Sequence, residues 1–153
     1  MRLGWVLALG LCATGTAHAA PADLYAPADL GKIKDGLKAK AGSGNASEIL
    51  ARYPGHYTML AYRKADGKAE IHAANADVFV IVSGKAKLIT EGSVPDAKEE
   101  GPDELRGTAI TGGKTAALAP GDVVHIPAGT PHQILVAPGD EILYFVVKVE
   151  EKP

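Results

Sequence analysis

From residue 56 onward, short apolar runs rich in Val, Ile, Thr and Tyr alternate with turn residues. The runs are HYTMLAYR (56–63), AEIHA (69–73), DVFVIVS (77–83), AKLIT (86–90), ELRGTAI (104–110), KTAALA (114–119), DVVHIP (122–127), HQILV (132–136) and EILYFVVKV (141–149). Between them stand turn signals such as Asp66-Gly67, Gly84, Gly112-Gly113, Pro120-Gly121, Ala128-Gly129 and Pro138-Gly139. Runs of this length predict strands, and connections this tight predict antiparallel neighbours, because parallel pairing needs a long crossover. The pattern therefore predicts an all-β chain of about nine strands, folded as an antiparallel sandwich or barrel.

Ahead of the strands, residues 27–40 place Leu30, Ile33 and Leu37 at helical spacing, with Asp29 early and lysines late, as the helix dipole prefers. One short amphipathic helix is expected there, followed by a flexible connector, AGSGNAS, at 41–47. Within DVFVIVS, Asp77, Phe79 and Ile81 share one face, and Val78, Val80 and Val82 share the other. Both faces are apolar, as they are in EILYFVVKV. A barrel strand hides one face inside, so the second must be covered by the helix, another sheet or a second copy in a homodimer. A fully enclosed strand in a monomer is the alternative. Residues 92–104 are charged and rich in Pro and Gly, which predicts a mobile surface loop, a candidate flap over one mouth of the barrel.

The N-terminus has its own pattern. Arg2 precedes an apolar stretch from Leu3 to Cys12, and the small-residue sequence Ala17-His18-Ala19 follows. This is the layout of a secretory signal, with an apolar run too short for a permanent membrane span. Cleavage after Ala19 is expected. The chain then divides into the signal at 1–19, the helix and connector at 20–55 and the barrel at 56–153. A periplasmic or secreted protein follows, with no membrane segment after cleavage and no cysteine, since Cys12 leaves with the signal. A net charge of -2 for the whole chain offers no basic footprint for nucleic acid. With a single cysteine there is no disulfide framework and no thiolate metal site.

The candidate chemistry lies in two places. At 121–132, GDVVHIPAGTPH, Pro127 and Gly129 set a tight reversal that delivers His132 to the start of a strand. At 69–84, Glu70 and His72 share a strand face, and Asp77 follows a short link, so that a hairpin would bring the His72 imidazole and the Asp77 carboxylate together. Two imidazoles and a carboxylate match the donor set of facial-triad metal sites with open positions; the same donors bind Fe, Mn, Zn, Ni or Cu. A metal-free barrel, with these groups bonded to one another, is the alternative. By alternation Tyr62, Phe79, Ile81, Ile134 and Tyr144 face the interior, as cavity lining or as core. His125 is expected to be packed or at a rim, and His56 to be exposed.

These segments resemble the motifs of the cupin superfamily. The second motif is matched at Gly121, Pro127, Gly129 and His132, with Val136 in place of the usual Asn. In the first, Glu70 stands at the first His position, His72 at the second, Asp77 at the acid and Gly84 at the closing Gly, while Lys64 replaces the leading Gly. The resemblance spans about residues 56–149. It implies a jelly-roll-like cupin barrel holding a divalent metal at His72, Asp77 and His132, with Glu70 as fourth ligand or as general base. Function is then the binding of a divalent metal inside the barrel together with action on, or binding of, a small organic molecule. Whether it is an enzyme is left open, and an enzyme would be a metal-dependent oxygenase, isomerase or lyase. The competing readings are a non-catalytic module that binds or senses a small molecule or metal, and a purely structural barrel. Substrate, reaction and metal are left open.

Overall fold

The structure, a computed structural model, describes residues 21–151. The expected signal at 1–19 lies outside the described residues. Among the described residues a single helix, α1 (Pro27–Ala41), precedes strands β1 (Asn45–Tyr53), β2 (His56–Arg63), β3 (Ala69–His72), β4 (Asn75–Gly84), β5 (Ala86–Thr90) and β6 (Lys98–Gly101). The remaining strands are β7 (Glu104–Gly107), β8 (Lys114–Leu118), β9 (Val123–Ile126), β10 (His132–Leu135) and β11 (Ile142–Glu150). They form a five-stranded sheet, β1-β2-β11-β4-β9, and a six-stranded sheet, β6-β7-β3-β10-β5-β8. Every pairing is antiparallel.

The two sheets face each other across a core of Phe79, Ile81, Leu88, Leu118, Ile126, Ile134, Ile142, Tyr144 and Val146, all at most 4% exposed. Alternation puts every second residue of β2, β4 and β11 into this interior. Part of their other face is covered by α1. Pro27 occupies the first turn of α1, where a missing N–H costs nothing, Asp29 and Lys38/Lys40 complement the dipole, and Gly42 ends it at positive φ. Leu37, fully buried, packs with Leu60, Tyr62 and Leu143, flanked by Leu30, Ile33 and Phe145. The helix thus covers the outer face over β2 and β11 but leaves Val80 on β4 37% exposed and its register partner Val123 on β9 67% exposed.

The structure revises three expectations. The connector at 41–47 is only a turn: β1 begins at Asn45, so the sheet starts before residue 56. The segment at 92–104 is not simply a loop, because β6 pairs with β7 as an edge hairpin, and only its tip reaches a cavity mouth. Both missed strands are sheet edges. Edge strands are blunted by charge and polarity, as in KEEG of β6, and so lack the apolar signature of interior strands. Finally, β3 and β4 are not a hairpin: they belong to different sheets, and residues 73–74 carry the chain across the barrel wall.

Candidate metal centre

His72, the last residue of β3, and His132, the first of β10, come from neighbouring strands, since His132 pairs with Glu70 in register. The turn before His132 is tied directly to the other histidine. Gly129, at φ 75°, donates its N–H to the carbonyl of His72 at 2.8 Å, and Thr130 N–H closes the turn on Pro127 at 3.2 Å. His132 Nδ1 lies 3.0 Å from the Thr130 carbonyl. A carbonyl only accepts, so Nδ1 carries a proton and the ring turns Nε2 toward the centre. The imidazole rings are 5.1 Å apart between centroids, both are buried, and neither Nε2 has a hydrogen-bond partner.

Two carboxylates face these nitrogens, and each is split between two tasks. Glu70 Oε2 lies 3.4 Å from His72 Nε2 and 3.9 Å from His132 Nε2, while Oε1 is held by Arg63 at 3.4 Å and Arg106 at 3.3 Å. Asp77 Oδ2 lies 3.5 Å from His72 Nε2 and 3.4 Å from His132 Nε2, while Oδ1 receives Lys148 Nζ at 2.6 Å. The imidazole contacts are longer than ordinary N–H···O bonds, and one oxygen of each acid remains turned to the centre. Burial pushes the Glu70 carboxyl up, but His72, Arg63, Arg106 and His132 outweigh it and hold the group at about 2. Asp77 behaves alike in direction: burial raises it, and His132, Lys148 and His72 bring it below the usual carboxylate range.

Two buried ring nitrogens without hydrogen-bond partners, converging with ionised oxygens, form a donor set suited to a divalent cation. Among the described residues, Glu70, His72 and His132 offer donors all within 4.8 Å of one another, and these three could hold a metal ion. Asp77 closes the same centre from the opposite sheet.

The centre opens into a cavity of about 610 Å³. Of the residues expected in its wall, Phe79, Ile134 and Tyr144 line it. Ile81 does not: it lies in the packed core, further along β4. Tyr62 borders the cavity, yet it packs with Leu37, Leu60 and Leu143 beneath α1 and its hydroxyl donates to Glu141 at 2.8 Å, because β2 turns Ala61 and Arg63 inward instead. His125 is exposed on β9, and His56 is half-buried and stacked on Tyr53 at 4.6 Å. The cations Arg63, Arg106 and Lys148 were not singled out from the sequence. Lys148 had a readable signal, as a charge two residues beyond Val146 on the inward face of a mostly apolar strand. Arg63 and Arg106 had none, since an arginine at or near a strand end is an ordinary surface residue.

No protein-family model and no curated protein matches the chain. Solved structures do. The DMSP lyase DddQ from Ruegeria pomeroyi DSS-3 aligns at a TM-score of 0.52 and 18% identity, over 71% of this chain and 48% of that one. The Cnp3 cupin domain of Schizosaccharomyces pombe aligns at 0.51 and 12%, over 70% and 61%. A cupin superfamily protein from Desulfitobacterium hafniense DCB-2 aligns at 0.50 and 15%, over 70% and 78%. The chain spans about half the length of the lyase and less than two thirds of the Cnp3 domain structure. The fold is the cupin β-barrel, as the motif resemblance implied, and its interior carries a His/Glu cluster able to hold a metal.

Proposed function

We propose that this protein is an exported, metal-binding cupin in which Glu70, His72 and His132 hold one divalent ion at the inner end of a cavity for a small organic molecule. The observation that carries the reading is the pair of buried, unpartnered Nε2 atoms facing ionised carboxylate oxygens at 3.4–3.9 Å. A bound divalent ion would act as a Lewis acid toward a ligand oxygen. The chain's own part is to keep the donors ready. Arg63 and Arg106 hold Glu70 ionised, Thr130 fixes the His132 tautomer, and Lys148 holds Asp77 with one oxygen toward the centre as a fourth donor or as an acceptor for a ligand proton. At about 2, Glu70 suits ligation better than general-base work, which calls for a group poised near the working pH. That same feature favours a second reading, a non-catalytic module that binds a small molecule through its metal.

Metal analysis of the untagged protein tests both. About one equivalent of divalent ion per chain is expected in the wild type, and none in His72→Ala or His132→Ala. The wild type alone should lose thermal stability in chelator, since a ligand present at a hundred times its Kd stabilises the native state by about 2.7 kcal/mol. A wild type that neither carries nor takes up metal ends the proposal. Export rests on Arg2, the apolar run and Ala17-His18-Ala19. Intact-mass measurement of the protein from cells should place the mature start at Ala20; a retained Met1 would rule export by this route out.

A further inference from the structure

The cavity beside the metal centre contains a row of three inward residues that the metal reading leaves without a complete role. Tyr57 on β2, Lys148 on β11 and Asp77 on β4 are register partners across three adjacent strands, and all three line the cavity. Lys148 is only 13% exposed in its side chain and gives one bond, to Asp77 Oδ1. An ammonium has three donors, so two remain. The other inner cations are committed elsewhere: Arg63 to Tyr144 and Glu70, Arg106 to Glu104 and Glu70.

We infer that Lys148 is the anchor for the carboxylate of a short-chain organic acid whose second oxygen donor faces the metal centre. The inference deepens the metal reading and rests on it for that second contact. Charge supports it. The lining cations Arg63, Lys68, Arg106 and Lys148 nearly balance the lining acids Asp66, Glu70, Asp77, Asp103 and Glu104, so a bound divalent ion tips the cavity to a net positive charge. In a half-enclosed space of low dielectric, such an excess selects an anion. The walls add the organic part: Met59, Phe79, Ile134 and Val146 give an apolar surface that a bare inorganic ion would not use. Position supplies the pairing of donors. The two oxygens of Asp77 touch the ammonium on one side and the imidazoles on the other, so a hydroxy-, oxo- or dicarboxylate of a few carbons reaches both.

The test is calorimetric titration of the full protein with malonate, and with glycerol as the uncharged control, with metal content measured in every sample. The wild type should bind malonate and not glycerol. Lys148→Met should weaken malonate by about tenfold or more, and Lys148→Arg should stay within about threefold of wild type. Because Lys148→Met strands the Asp77 charge, the double variant with Asp77→Asn is titrated alongside and should show the same loss. No malonate binding up to about 50 mM, equal binding of glycerol, or wild-type affinity in the folded Lys148 variants overturns the inference. The two readings fail separately. Lys148-dependent malonate binding in a wild type that takes no metal removes the metal and keeps the anchor, and stoichiometric metal with Lys148-independent binding does the reverse.

Discussion

Gly84 and Gly129 both sit at positive φ, 83° and 75°, yet the structure asks different things of them. A Cβ on Gly84 would lie 2.0 Å from the Glu141 carbonyl oxygen, a backbone atom of the residue that leads into β11, whereas a Cβ on Gly129 meets nothing within 4 Å. Gly84→Ala should therefore cost at least about 3 kcal/mol, combining backbone strain with a clash, and Gly129→Ala about 1 kcal/mol from the left-handed conformation alone. Denaturant unfolding of the two variants checks the order; equal losses would mean that the contact at Gly84 is relieved by an easy backbone shift. The same residue-by-residue view explains which site groups were legible. His72, Asp77 and His132 stood out because each lies at a strand end or beside a tight turn within the two segments that carry the motif resemblance. Arg63 and Arg106 did not, because their inward placement depends on partners from other strands, Glu70 with Tyr144 or Glu104, that meet only inside the barrel.

At the scale of elements, α1 is fastened to the barrel in two ways. Leu37 fills the layer above Leu60, Tyr62 and Leu143, and Leu37→Ala should cost about 2–4 kcal/mol in unfolding experiments, as other buried leucines do. The second fastening is polar. Lys34 and Lys38 reach opposite oxygens of Glu141, each at 2.8 Å, and Tyr62 donates to the same carboxylate. These contacts hold Glu141 at about 2, below its ordinary 4.5. A depressed carboxylate contributes stability that is complete above pH 4.5 and is lost as the pH falls toward about 2. Protection factors of α1 amides, taken against the intrinsic exchange rate at each pH, should thus fall across that window, and Glu141→Gln should show the lower protection already at neutral pH, without the acid step. Identical profiles for wild type and variant would mean that apolar packing alone holds the helix. The helix itself was readable from Leu30, Ile33 and Leu37. β1 and β6 were not, because each has only one sheet neighbour and gains little from an apolar alternation.

For the whole molecule, the apolar outer faces of β4 and β11 pose one problem with a divided answer. The helix covers Leu143 and Phe145, while Val80 and Val123 stay exposed side by side next to the β9 edge. Pairing of two copies across that patch is the expectation for the rest. Sedimentation at micromolar concentration should find a dimer that Val123→Lys converts to monomers, and a monomeric wild type would show that the patch stays open to solvent.

Local rules acting on the chain alone determined most of the strands, the positions of the turns, the helix and the two histidine-bearing segments. Each of these depends on neighbours a few residues away: alternation, a proline's fixed φ, a glycine's freedom, the 3.6-residue period. Which face of a two-sided apolar strand turns inward was decided only when the sheets closed, and with it the fate of Tyr62, which alternation alone assigned to the interior and which packs beneath α1. Closure also brought Arg63, Glu70, Arg106 and Lys148 around one point from β2, β3, β7 and β11. Burial and charge pairing are properties of that assembled space, and sequence spacing carries no record of them.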